Sequence, residues 1–152
     1  MRAAVGSTHL VVGAGAHRCA FPLDVVVETM RPLPVRPVAG TAACVRGLAT
    51  VRGRAVPVVD LGAFLAGPGG PAARWVTIRV GSRCVAVAVG FVEGLVALSP
   101  ADLEALPPLV SGARPGVAEA LAEVDGDWMV VVQGARLVEA GAEVADRDGG
   151  PP

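Results

Sequence analysis

At 152 residues the chain has room for one domain or two very small ones, and enough length to bury a real core. It is 53% hydrophobic, only 3% aromatic, and carries a net charge of −1. With no Cys-x-x-Cys pair, no apolar run near the ~18 residues of a membrane span, and no basic cluster interleaved with aromatics, it argues against a zinc module, a membrane-inserted chain and a nucleic-acid reader.

The small net charge hides an asymmetry. Residues 1–92 hold ten Arg against Asp24, Glu28 and Asp60, a net +7, and residues 93–152 hold three Arg against eleven acids, a net −8. Such a bipolar chain reads either as two solvated faces or as a module that docks different partners at its two ends. All thirteen basic residues are Arg and there is no Lys, Asn or Tyr, the mark of a GC-rich genome, so Arg-richness alone is no functional signal. Cys19, Cys44 and Cys84 are scattered in apolar runs and read as buried small hydrophobes in a reducing, cytoplasmic setting. His9, His17 and Arg18 break up the apolar stretch that a signal peptide requires.

Taken in order, residues 1–7 read as a loose lead-in. Leu10–Val12 and Arg18–Leu23 read as a hairpin around Gly13–Ala16. The Gly13-Ala14-Gly15-Ala16 run also looks like the start of a dinucleotide loop, but Arg18 stands where a third small residue belongs and Phe21-Pro22-Leu23 opposes the helix that should follow. Asp24 caps an expected short helix, Val25–Met30, although three consecutive valines are poor helix formers. Pro32, Pro34 and Pro37 enforce an extended segment. Cys44–Thr50 is a strand, Ala55–Leu61 another, and Leu61–Leu65 a helical turn. Gly67–Pro71 is the best linker candidate.

The second half repeats the first in outline. Trp75–Val80 and Cys84–Val89 form a hairpin over Gly81-Ser82-Arg83, and Leu95–Leu98 is a strand after the glycine-bracketed Phe91-Val92-Glu93. Ser99 caps a short helix with Pro100 at its first position, ended by Pro107-Pro108. Residues 109–116 read as a loop. Val117–Val124 is open between strand and helix, and Asp125-Gly126 before Trp128–Val132 favours a hairpin. Ala135–Val144 reads as an amphipathic helix and the remainder as a polar tail. About ten short strands in two similar sets suggest small barrels or a sandwich, and the space between two barrels is where ligands tend to bind.

Catalytic chemistry is thin. His9 and His17 lack a third ligand nearby, no serine has a nucleophile-elbow neighbourhood, Asp125 and Asp127 flank a hairpin glycine, and no phosphate-binding loop is present. The chain is expected not to be an enzyme and to carry no metal and no cofactor. The stronger signal is Ala49–Leu61. Gly53 frees the backbone for a tight turn, Ala55–Leu61 is apolar enough for a strand buried on both faces, and Pro57 requires an edge or a bulge. Arg52 and Arg54 stand at the mouth of this hairpin, placed to pair with carboxylates. Glu28 and Arg52 are expected to pair.

Arg52-Gly53-x-x-x-Pro57-x-x-Asp60-Leu61, with Arg46-Gly47-Leu48 before it, resembles the core signature of the CheW-like domain family. Cys84–Val92 and Asp125–Val132 resemble that family's later hairpins, and the likeness runs from about His9 to Val138. It implies a mainly β fold of two SH3-like five-stranded barrels with short helices. The expected division is one CheW-like domain over 8–138, with a first barrel at about 8–66 and a second at about 74–133. A C-terminal helix follows at about 135–144, with flexible tails at 1–7 and 145–152.

The resemblance further implies a chemotaxis adaptor that couples the cytoplasmic tip of a chemoreceptor to the regulatory domain of a CheA-type histidine kinase. The positions carried over are Val26, Glu28, Arg52, Gly53 and Asp60, with Arg54 beside them. Val26 would be an apolar contact for a receptor helix, and Arg52 would pair with Glu28 or with the receptor. Thr50 stands where the family usually has Asn, Gly90 where it has Asp, Gln133 where the last strand ends in Leu-Asp, and Ala120 or Leu121 where it has Gly. Alternatives are a divergent scaffold of a pilus-motility or other chemosensory pathway, or a double barrel that binds a small ligand.

Overall fold

The computed structural model describes residues 6–65, 72–104 and 118–148. Gly67–Pro71, Pro107-Pro108 and the 109–116 loop lie outside them. In chain order the elements are β1 (Ser7–Ala14), β2 (His17–Pro22), β3 (Val26–Met30), β4 (Val45–Val51), β5 (Arg54–Asp60), α1 (Leu61–Phe64), β6 (Arg74–Val80), β7 (Arg83–Val89), β8 (Phe91–Leu98), β9 (Leu103–Glu104), β10 (Ala118–Val124), β11 (Asp127–Val132) and α2 (Gly134–Asp148).

Four hairpins turn on two residues each, and each turn has the backbone its sequence demands. Arg52-Gly53 (φ +51° and +80°) and Asp125-Gly126 (φ +53° and +84°) hold both central residues at positive φ, as a type I′ turn requires. Gly15 (φ +60°) and Gly81 (φ +63°) supply the positive φ at the first position of the other two.

The strands form two sheets of the same plan. One runs β3-β6-β7-β5-β4, the other β8-β1-β2-β11-β10-β9. In each, an edge strand lies antiparallel to a hairpin, and a second hairpin joins the first by a parallel pairing, β7 with β5 or β2 with β11. This is the mainly β, SH3-like double barrel that the sequence led us to expect, with two-residue β9 as an extra member. The division along the chain is different, however. The barrels are not 8–66 and 74–133. Val26–Val89 supplies the whole five-stranded sheet, and the N-terminal hairpin β1–β2 completes the other with β8–β11. Strand patterns and turn residues specify each hairpin locally, but nothing local says which distant hairpin it will lie beside.

The five-stranded sheet is drawn round on itself by the proline-rich segment after β3. The Arg36 N–H donates to the Leu48 carbonyl at 2.7 Å and the Leu48 N–H to the Arg36 carbonyl at 2.9 Å. Pro57 occupies a strand with neighbours on both sides, yet its missing donor is harmless. Its partner on one side is Leu48, and the pairing of β5 with β7 begins only at Val58. The register shift in β4 lies at Val45/Gly47, not opposite Pro57.

Three apolar cores account for the valine and alanine content. Val11, Ala20, Ala122, Met129 and Val131 fill the six-stranded barrel, and Ala49, Val56, Val58, Trp75, Ala86 and Ala88 fill the other. Between the barrels lies a larger core of Leu10, Val12, Phe21, Val59, Leu61, Ile78, Val85, Val87 and Leu137 among others. Successive residues of β1, β5 and β7 therefore face different cores, so these strands read as continuous apolar runs rather than alternating ones. Helix α2 lays Gly134, Leu137, Val138 and Gly141 onto the five-stranded sheet, the i, i+3, i+4, i+7 spacing of one helix face. A Cβ at Gly141 would come within 2.9 Å of Pro57 Cβ, so the glycine lets the helix approach.

Several local expectations are corrected. Val25–Met30 is not a helix: a single 3₁₀ turn, Leu23–Val25, leads into β3. Three valines and a threonine fit a pleated surface better than a helix turn. The helix after Ser99 is only the 3₁₀ turn Pro100–Asp102, in which Asp102 Oδ2 accepts from the Ser99 N–H (2.7 Å) and hydroxyl (3.0 Å). It stops because Leu103 pairs with Ala122 in the sheet. Residues 118–124 are strand. Helix α2 runs to Asp148 rather than Val144, since no glycine or proline follows Gly141 before Gly149. His9 is buried, 5% exposed, with Nδ1 at 3.0 Å from the Ser7 carbonyl. It lies at the opposite end of the hairpin from exposed His17, so the two histidines form no common site.

Candidate functional site

The sequence-predicted positions separate into two groups. Glu28, Arg52, Gly53 and Arg54 gather at one end of the five-stranded sheet, and Asp60 lies apart in the interior.

Glu28 sits on edge strand β3 and Arg52 at the tip of the β4–β5 hairpin, on the opposite edge. They meet in a two-pronged ion pair, with Arg52 Nε donating to Glu28 Oε2 and Nη2 to Oε1, both at 2.8 Å. Fork-to-fork geometry of this kind fixes direction as well as charge. The hydrogen bond from Arg52 holds the Glu28 carboxyl below the ordinary glutamate value, and the same bond raises the guanidinium. The Arg52 side chain remains 76% exposed, so the pair contributes little to stability and leaves donors facing outward. Arg54 opens β5 two residues on and is exposed.

A bulge shapes the rest of this surface. The β3–β6 register slips between Val26 and Glu28, leaving Val27 as the extra residue. Val26 turns to the core between the barrels, while Val27 is 51% exposed. Of the two, it is Val27 that presents an apolar side chain to solvent, with Leu23 (38% exposed) near it in sequence. Neither residue stood out in the sequence. The one signal was the unbroken run Val25-Val26-Val27, which cannot all point inward from a strand with one buried face.

Asp60 is 6% exposed and serves the fold. Its Oδ1 accepts from the Ala63 N–H at 3.1 Å, capping α1, and its Oδ2 accepts from Arg46 Nε at 3.1 Å. A group so enclosed does not offer itself to a partner. Its place in the Arg52–Leu61 signature is explained by the strand-to-helix corner it holds. Arg46, the partner sequence reasoning missed, was visible only as part of Arg46-Gly47-Leu48.

The departure positions have plain structural roles. The Gly90 N–H donates to the Gly13 carbonyl at 2.7 Å, where the chain crosses from one barrel to the other. The Gln133 carbonyl accepts from the Arg136 N–H at 3.1 Å at the start of α2. Thr50 is exposed on β4 opposite Ala55.

Opposite in charge to the Arg52 end, the six-stranded sheet carries acids at its β10–β11 turn. Arg18 pairs there with Glu93 and stands 3.5 Å from Asp127. Among the described residues no helix is long and apolar enough to cross a membrane, and no group of three or more His, Cys, Asp or Glu could hold a metal ion.

Comparison with known proteins bears on this geometry. The CheW-like domain family matches residues 8–142. Among solved structures, the scaffolding protein TtCheW from Thermoanaerobacter tengcongensis superposes with a TM-score of 0.75 at 16% identity, over 84% of this chain and 89% of that one. No curated protein matches the chain.

Proposed function

The chain belongs to the CheW-like domain family, and from that premise we propose that it is a non-catalytic adaptor that couples a chemoreceptor's cytoplasmic tip to the regulatory domain of a CheA-type histidine kinase. The observation that carries this reading is the Glu28–Arg52 fork at the open end of the five-stranded barrel, with Val27 exposed beside it. A ready-oriented guanidinium next to an apolar patch suits an amphipathic helix that offers both an apolar side chain and a hydrogen-bond acceptor. Glu28, Val27, Arg52 and Arg54 are the contacts, Gly53 shapes the turn that presents them, and Asp60 acts through the corner at α1.

The packing favours a scaffold over a ligand carrier. Both barrel interiors are filled with side chains, which leaves little room for a bound metabolite. The adaptor works without cofactor or metal and in the cytoplasm.

The test is calorimetry of this protein with the CheA-type regulatory domain and with a receptor-tip fragment, both from the same genome. Binding of either at micromolar concentration supports the adaptor reading. Failure of both at tens of micromolar, near the weak end of functional affinities, overturns it. Binding only to the proteins of a pilus-motility system would assign the chain to that pathway instead.

A further inference from the structure

A second feature lies beyond the Glu28–Arg52 fork. Strands β5 and β7 run parallel and side by side, so their first residues, Arg54 and Arg83, stand at the same end of the sheet. Arg79 joins them, because it is the cross-strand partner of Cys84, and Arg79 and Arg54 both act electrostatically on the Cys84 thiol. Three guanidinium groups are thereby collected from two hairpins far apart in sequence. All three are exposed, and among the described residues none of them is in an ion pair.

Arg54 and Arg83, with the Arg79-paired Cys84, border a cavity of about 270 Å³ between β5, β7 and α2. Arg54, Ser82 and Arg83 form its polar side, and Pro57, Val138 and Ala142 its apolar side. Glu28 also acts on the Cys84 thiol, but its carboxylate is taken by Arg52, so Arg54, Arg79 and Arg83 leave a positive charge for a partner to match. The volume is at the small end of ligand pockets and admits one or two side chains rather than a whole metabolite. Nucleic acid fits poorly, since no aromatic side chain is among the lining residues to stack on a base.

We infer that this cleft is a docking site for an acidic peptide segment of a protein partner, which seats an apolar side chain against Pro57, Val138 and Ala142 while its flanking carboxylates pair with Arg54, Arg79 and Arg83. The commitment to an acidic segment rests on charge complementarity, and the commitment to a peptide on the mixed apolar and cationic lining. The inference shares Arg54 with the adaptor reading but neither Glu28 nor Arg52, and the variants that test it leave Arg54 in place.

The experiment is fluorescence anisotropy with a labelled peptide of leucine and glutamate at helical spacing, and with its twin carrying glutamine for glutamate. The wild type should bind the glutamate peptide, with affinity falling as salt rises. The double variant R79S/R83S, which changes only exposed side chains, should bind it about tenfold more weakly, the equivalent of 1.4 kcal/mol. R83E should weaken it comparably while circular dichroism shows an unchanged fold. Equal binding of the two peptides, or unchanged binding in both variants, overturns the proposal. So does equally tight, Arg79- and Arg83-dependent binding to phosphatidylserine vesicles or to a single-stranded oligonucleotide. If kinase domain and receptor tip both fail to bind while the glutamate peptide binds through these arginines, the adaptor reading falls and the cleft remains. The reverse pattern removes the cleft alone.

Discussion

The Arg52 guanidinium clasps the Glu28 carboxylate with two bonds of 2.8 Å, from a backbone held at φ +51°. A non-glycine residue in that region is disfavoured by contact of its Cβ with the backbone, and an ion pair this exposed offsets little. Taken together, these terms leave the arginine little net contribution to stability. Arg52→Gly should leave the midpoint of thermal unfolding within a few degrees of wild type, because glycine relieves the backbone as the pair is lost. Binding to the receptor-tip fragment should nevertheless weaken. A large loss of stability, or unchanged binding to both proposed partners, would count against a recognition role for Arg52.

The same pair makes a pH prediction. Glu28 is held below the usual carboxylate range in the folded chain by its bond to Arg52. A depressed folded value contributes stability above the unfolded value, and that contribution is lost as pH falls through the folded one. The Glu28 carboxyl resonance, followed by NMR, should thus titrate below the ordinary glutamate value of 4.5 and move back toward it in Arg52→Ala. An identical midpoint in wild type and variant would show that the fork does not form in solution.

Closure of the five-stranded barrel depends on Gly47. At φ +141° a Cβ there would sit 2.1 Å from the Arg36 carbonyl oxygen, which accepts from the Leu48 N–H. Gly47→Ala must move backbone rather than a flexible side chain, and it should destabilise by about 2–4 kcal/mol in urea unfolding. Gly53→Ala is the comparison. Nothing lies within 4 Å of a Cβ there, so only the positive-φ penalty of about 1–2 kcal/mol applies. Equal effects at the two glycines would refute the closure role.

The three thiols should differ in reactivity. Burial pushes Cys19 up to about 12, Cys44 is 1% exposed, and half-buried Cys84 is raised by burial against the opposing pull of Arg79 and Arg54. Since the thiolate is the reacting form, Ellman's reagent should label one cysteine slowly in the folded protein, faster at higher pH, and none in Cys84→Ser. Rapid labelling of two or three thiols would contradict the packing between the barrels.

Asp60 should behave as a structural residue. Asp60→Ala removes the α1 cap and one partner of Arg46, for a loss of about 2 kcal/mol. Asp60→Asn keeps an oxygen for the Ala63 N–H and should lose roughly half of that. Binding of the folded fraction to the receptor tip should be the same in both variants.

Much of the architecture was legible from residues alone. The hairpins were, because Arg52-Gly53, Asp125-Gly126, Gly15 and Gly81 supply positive φ where the chain reverses. Helix α2 was, because Gly134, Leu137, Val138 and Gly141 follow the i, i+3, i+4, i+7 spacing of one helix face. The Arg52–Leu61 signature pointed to the family. Residues 23–30 were misread because a short run of valines carries no period, and the bulge that exposes Val27 leaves no mark in the sequence.

Local chemistry by itself thus determined the strands, the turns and the likeness to one family, since a turn type and a strand propensity are settled within a few residues. Only the tertiary structure decided that β1–β2 completes the far barrel, that Val27 rather than Val26 is exposed beside the Glu28–Arg52 pair expected from the sequence, and that Arg54 and Arg83 line one cleft. The parallel pairings β2–β11 and β5–β7 join segments distant in the chain. Their choice rests on burying both faces of each hairpin against a shared core, and no local pattern records that.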